Sequence, residues 1–271
     1  MRTGIQQIQL RTVVKNEKQA LAALRSIREA GYDGIELNHY MLHKLPLSIR
    51  LFTKLAGMEM GAGGNLDWKG MLAEVSLPVI ALHADLGTIE KNPDVILEEA
   101  EQFHTDTVVL TGMYHFDDSD QAAVMNLAGR LNAAGRRLQE DHIRFLYHNH
   151  NCEFMSVGTS AAGAAAAGSE AGSDEPCSEA DSEPCSQNGR KAYDLLIDGT
   201  DPEYVNFEFD SYWAAEAGAD PLVWMKRLGN RMKLYHINDR GSRPHGKQGS
   251  ILKSDGVELG VQPAFGASDT S

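Results

Sequence analysis

Cationic residues are scarce in this chain, with 25 Lys and Arg against 38 Asp and Glu and a formal net charge of −13. Clustered Lys and Arg are what grip a phosphate backbone, so this balance argues against nucleic acid as a partner. It still allows a few local cations to hold a small anionic substrate. Cysteine is scarce as well. The three are Cys152, Cys177 and Cys185; the odd count, with two in a low-complexity stretch, argues against a disulfide framework. No apolar run reaches the roughly 18 residues that a membrane span needs. The chain runs from Met1 straight into a strand-like segment. That leaves no room for a signal peptide and makes the cytoplasm the expected compartment.

What is present is ordinary for a globular protein: 271 residues, 42% of them hydrophobic and 23% charged. That is enough for one sizeable core and fits a single (β/α) barrel domain. Strand-like and helical patterns alternate along the chain. Residues 4–10 read as a strand and residues 16–30 as an amphipathic helix, with Gly31 placed to end it. Residues 33–38 read as the second strand. A helix over 47–55 follows, then a glycine-rich stretch, 58–69, that reads as a weak strand or a loop. Residues 79–85 and 107–112 are strands, and 93–103 and 119–139 are helices. The fifth strand is 143–150, the sixth 205–210 and the seventh 232–238, with helices over 191–197 and 220–228.

Residues 158–188 break this rhythm. They hold six acids, no Lys or Arg and no aromatic residue. Such a segment buries too little surface to fold, so it is expected to be a disordered insertion after the fifth strand. Residues 254–271 show no element of useful length, and the barrel is expected to be incomplete at its C-terminal end.

The chemistry sits at the ends of strands. Alternation puts Leu146, His148 and His150 on one side of the fifth strand. It likewise groups Asn206, Glu208 and Asp210 on the sixth, and Leu234, His236 and Asn238 on the seventh. Glu36 and Asn38, then Ala81, His83 and Asp85, line the second and third. In a parallel barrel such residues converge at the C-terminal mouth. Imidazole with carboxylate suits Mn, Co, Zn or Fe better than Ca. Each residue also has a plainer role. A strand histidine is commonly a hydrogen-bonded core residue, Asp210 could cap the segment opened by Ser211 and Tyr212, and Glu208 could pair with a lysine.

His148–Asn149–His150 followed by Glu153 and Phe154, Asp210–Ser211–Tyr212–Trp213 followed by Gly218–Ala219–Asp220–Pro221, and His236–Ile237–Asn238–Asp239 together resemble the signatures of the sugar phosphate isomerase/epimerase-like TIM barrels. The resemblance covers residues 4–239 apart from 158–188. It implies a (β/α)8 TIM barrel and a divalent metal held by His148, Asp210 and His236. A fourth ligand of the family, a Glu on the eighth strand, has no counterpart; Glu258 matches a turn before it. The implied activity is isomerisation or epimerisation of a sugar or keto-sugar by metal-assisted proton transfer through an enediolate. His150 and Glu153 are the expected catalytic acid–base groups, and Glu36, His83, Asn238 and Asp239 the expected substrate binders. A dehydratase on the same scaffold is the first alternative, and a truncated barrel with only a binding role is the second. A nuclease, which shares this barrel, is disfavoured by the charge. Assembly into a homo-oligomer is left open.

Overall fold

The computed structural model describes residues 2–11, 13–44, 63–113, 116–158 and 189–238. The readings made for residues 47–55, for most of 158–188, for 254–271 and for Asp239 lie outside the described residues. Among the described residues, seven strands form one parallel sheet in sequence order: β1 (Gly4–Gln6), β2 (Gly34–Asn38), β3 (Val79–Ala84), β4 (Thr107–Leu110), β5 (Arg144–His148), β6 (Val205–Asp210) and β7 (Met232–His236). Helices alternate with them: α1 (Glu17–Glu29), α2 (His39–Leu42), α3 (Trp68–Val75), α4 (Leu86–Lys91), α5 (Pro93–Gln102), α6 (Gln121–Glu140), α7 (Ala192–Gly199), α8 (Ser211–Glu216) and α9 (Pro221–Leu228). This is the strand–helix order of a TIM barrel.

Local chemistry explains the elements. Asn16 caps α1 by accepting from the Gln19 N–H at 3.0 Å. Ala20, Leu24 and Ile27 form its buried stripe, and Gly31 exits it at φ +89°. The strand read over 4–10 divides. Only Gly4–Gln6 pairs with β2, and Gln7–Leu10 turns into a 3-10 helix. The reason is Gln7, which is fully buried and whose Oε1 accepts from the Asn38 N–H at 2.8 Å, replacing a ladder bond with a side-chain bond. Short helices were not legible in the pattern: His39–Leu42, Trp68–Val75, Leu86–Lys91 and Ser211–Glu216. Trp68–Val75 follows a cap by Asp67, and Leu86–Lys91 follows a cap by Asp85. Asp85 therefore faces solvent at a helix start and does not line the barrel.

The sheet is strongly curled. Glu36 on β2 and Glu208 on β6 touch side chain to side chain, although four strands apart. In a flat sheet their strands would stand roughly 19 Å apart. Two apolar layers result. Ile35, Leu37, Leu82, Val108, Phe145, Phe207 and Phe209 face outward onto the helices. A small inner plug of Ala81, Val109 and Leu146, with Leu234 packed against it, fills the interior. The polar residues of the same inward faces lie further along the strands, at their C-terminal ends. Among the described residues no helix is long and apolar enough to cross a membrane.

Candidate metal and active site at the barrel mouth

Residues from β1, β2, β3, β5, β6 and β7 meet inside the curl, past the apolar plug. Their centre is Glu208, which is 1% exposed. Its Oε2 lies 2.8 Å from His148 Nδ1 and 3.7 Å from His83 Nε2. The partner of Glu208 is thus a pair of histidines, not the lysine that its sequence context allowed. His83 in turn lies 3.2 Å from Glu36 Oε2 and 3.4 Å from the Gln6 amide nitrogen. The His148 and His236 rings approach to 5.1 Å between centroids, and His148 and His150 to 4.9 Å.

Asp210 is fully buried and divides its two oxygens. Oδ1 accepts from the Tyr212 and Trp213 N–H groups at 2.9 and 3.2 Å and so starts α8, a stretch whose sequence read as loop. Oδ2 lies 3.2 Å from His236 Nδ1. The alignment is not that of a hydrogen bond, and both atoms are buried without one. Glu208 Oε1 is likewise buried without a hydrogen bond. The capping and ligand readings of Asp210 are therefore compatible, because each uses a different oxygen.

The charges are tightly coupled. Burial pushes Glu208 up, the nearby Glu36 carboxylate adds to it, and its pKa reaches about 8. Burial acts on Glu36 in the same direction, but the hydrogen bond and charge of His83 outweigh it and hold Glu36 near 2. The pair consequently shares one proton, as close buried carboxyls do. Burial would make His236 less basic, yet Asp210 and Glu208 raise it to about 9. Burial, reinforced by His150 and His236, keeps His148 well below the usual imidazole range and therefore neutral. Asp210 is lowered despite its burial, by His236 and His148.

Two residues that the strand-end reasoning left without a role position the rest. Asn149 is fully buried. Its Nδ2 donates to the Asp210 carbonyl and its Oδ1 accepts from the Asp210 N–H, both at 2.9 Å. One side chain thus clamps the end of β6 to the end of β5. Gly112, at φ +127°, places its Cα where a methyl group would stand 2.9 Å from His150 Cε1. Only glycine adopts that backbone readily and leaves room for the ring. His150 then packs against Trp213 at 5.6 Å.

Other expected residues sit differently. Glu153 is 2% exposed and accepts from Tyr147 OH at 2.8 Å, from the His150 N–H at 2.9 Å and from Cys152 Sγ at 3.3 Å. Tyr147 is part of the outer layer of β5, so Glu153 is bound on the helix side and holds the loop that carries His150. His83 is fully enclosed and engaged with Glu36, Glu208 and Gln6, below any surface that a substrate could touch. Glu36 remains 12% exposed. Asn238 is half-buried, two residues beyond β7.

The residues present fit a divalent cation. His148, Glu208 and His236 each offer a ligand atom within 4.8 Å of the others, Asp210 Oδ2 lies beside His236, and Glu208, Asp210 and His236 each keep a buried polar atom without a hydrogen bond. Histidine nitrogen with carboxylate oxygen is the donor set of Mn, Fe, Co and Zn sites.

The chain matches no family model and no curated protein. Solved structures do resemble it. A sugar phosphate isomerase/epimerase from Parabacteroides distasonis superposes with a TM-score of 0.62 at 19% identity, over 98% of this chain and 88% of that one. The probable 3-DHS dehydratase AsbF from Bacillus anthracis gives 0.55 at 16% identity, over 89% and 74%. D-allulose 3-epimerase from a Methylomonas species, in complex with D-allulose, gives 0.52 at 12% identity, over 96% and 79%. The chain thus has the TIM-barrel fold of sugar phosphate isomerase/epimerase and xylose isomerase-like proteins.

Proposed function

We propose that this protein is a metal-dependent isomerase or epimerase acting on a ketose or keto-sugar. The observation that carries the reading is the convergence of His148, Glu208 and His236 at the C-terminal ends of three adjacent strands, with Asp210 Oδ2 3.2 Å from His236 Nδ1 and buried atoms of Glu208, Asp210 and His236 left without a hydrogen bond. These four residues would hold the cation. A divalent ion there would supply Lewis-acid polarisation of a ketone and its neighbouring hydroxyl.

The remaining residues do the handling. His150 is the proton-transfer group: half-buried at the rim, its ring is set by Gly112 and Trp213 and its backbone by Glu153. It takes a proton from the carbon beside the ketone and returns it to the adjacent carbon on the same face; epimerisation requires a second acid to deliver the proton to the opposite face. Glu36, ionised and still partly open, accepts from a sugar hydroxyl. Glu153 and His83 are positioning residues, for the His150 loop and for the Glu36–Glu208 pair. Asn238, two residues beyond β7, stands as a further hydroxyl binder; Asp239, the other expected binder, lies outside the described residues. Among the described residues those around Glu208 are histidines and acids, which suits a neutral polyol.

The test is deuterium exchange. Ketohexoses incubated with the protein and Mn²⁺, Co²⁺ or Zn²⁺ in D₂O are expected to take up deuterium at the carbon beside the ketone. His150→Gln is expected to abolish uptake while metal content holds, and Asp210→Asn to lower both. Exchange that persists in His150→Gln and Asp210→Asn would refute the assignment. Loss of a β-hydroxyl from the same carbanion would give dehydration, and the product spectrum separates that outcome.

A further inference from the structure

A second constellation lies outside the mouth cluster, between α2 and α5. We propose that His39, His43 and Glu99 form a separate divalent-metal site of zinc type. His39 opens α2 and His43 follows its last residue, so the two stand four apart. Residues at that spacing share a helix face, and the rings are 4.6 Å apart between centroids. The third group comes from another helix. Glu99 on α5 is 8% exposed, and among the described residues both its oxygens face only these histidines. His39 Nδ1 lies 3.0 and 2.9 Å from Oε1 and Oε2, and His43 Nε2 lies 2.5 Å from Oε1.

These three groups satisfy the requirements of an ion better than those of a core. One ligand atom from each lies within 4.8 Å of the others. Zinc at its usual bond lengths, about 2.0–2.1 Å, needs ligand atoms roughly 3.3 Å apart, so side-chain movements of under about 1 Å suffice. Two imidazoles and one carboxylate select zinc or a neighbouring transition ion over calcium or magnesium. Three protein ligands leave a coordination position open. His43 and Glu99 border a cavity of about 280 Å³, shared with Asp67, Trp68, Lys69 and Phe103. Water can therefore complete the shell, and a small anion could exchange with it beside Lys69. None of these residues takes part in the mouth cluster, so the two sites stand or fall separately.

Zinc content after equilibrium dialysis of the full chain tests the proposal, with His43→Asn, Glu99→Gln and Asp210→Asn alongside. His43 is 53% exposed in its side chain, so His43→Asn leaves the packing intact, and far-UV circular dichroism checks this. His43→Asn and Glu99→Gln are each expected to hold one zinc equivalent fewer than the parent chain, and Asp210→Asn to retain that equivalent. The zinc-dependent rise in Tm carried by this site is expected to shrink in His43→Asn. A His43→Asn protein that binds as much zinc as the parent overturns the proposal and leaves only a hydrogen-bonded latch. So does a parent chain that binds none. A loss confined to Asp210→Asn overturns it too, while leaving the mouth site standing.

Discussion

Asn149→Ala is expected to be the most damaging small change near the mouth. Asn149 and Asp210 are both fully buried, and the Asn149 amide makes two 2.9 Å hydrogen bonds to the Asp210 backbone. Truncation deletes both and strands the Asp210 N–H and carbonyl in a dry interior. A buried backbone group left without a partner costs about 1–3 kcal/mol. Two such groups, with partial rescue by entering water, give a loss of about 3 kcal/mol. At roughly 2–4 °C per kcal/mol for a domain of this size, the Tm falls by about 6–12 °C. Differential scanning calorimetry and urea titration measure it. Because the clamp also aligns Asp210 with His236, metal affinity at the mouth is expected to fall with stability, while far-UV dichroism stays near the parent spectrum. A loss below about 1 kcal/mol, or full stability loss with unchanged metal binding, would refute the claim that Asn149 holds Asp210 in place.

Two further changes probe the frame. Arg231 donates to the Ile197 and Val205 carbonyls and to Thr200 Oγ1, and lies 4.8 Å over the Phe207 ring. Arg231→Leu is expected to cost about 2–4 kcal/mol in urea denaturation, and Arg231→Lys to recover little because one ammonium cannot span three acceptors. Asp118 has its pKa raised to about 6, first by burial and then by the Glu153 charge. Its folded pKa lies above the unfolded value near 3.9, so the stability it contributes is complete below about pH 4 and is lost as pH rises through 6. Asp118→Asn is expected to unfold at a higher Tm than the parent above pH 6, with the gap closing by pH 4; a gap that widens toward acid would refute this.

Much of the architecture was legible along the chain. Periodicity of 2 and 3.6 located each of the seven strands and the longer helices, because burial on one face forces that spacing. The limits of β6, Val205–Asp210, match the sequence reading residue for residue. Short capped helices escaped it. Trp68–Val75, Leu86–Lys91 and Ser211–Glu216 depend on single aspartate caps, and one aspartate before a polar stretch looks the same whether it caps a helix or opens a loop.

Within the site, alternation alone assigned His148, Glu208, Asp210 and His236 to the inner face, since a strand cannot send adjacent side chains to one side. Which of them meet was decided by curl. Glu36 and Glu208 are neighbours only because the sheet rolls, and no spacing along the chain encodes a contact across four strands. Tertiary structure also decided roles. Glu153 sits near His150 in sequence, but its carboxylate turns to Tyr147 on the helix side. The His39–Glu99 contact spans 60 residues and exists only because α5 packs beside α2. Local periodicity fixes the direction of a side chain from its own strand or helix; the distance between two such side chains is a property of the curled sheet.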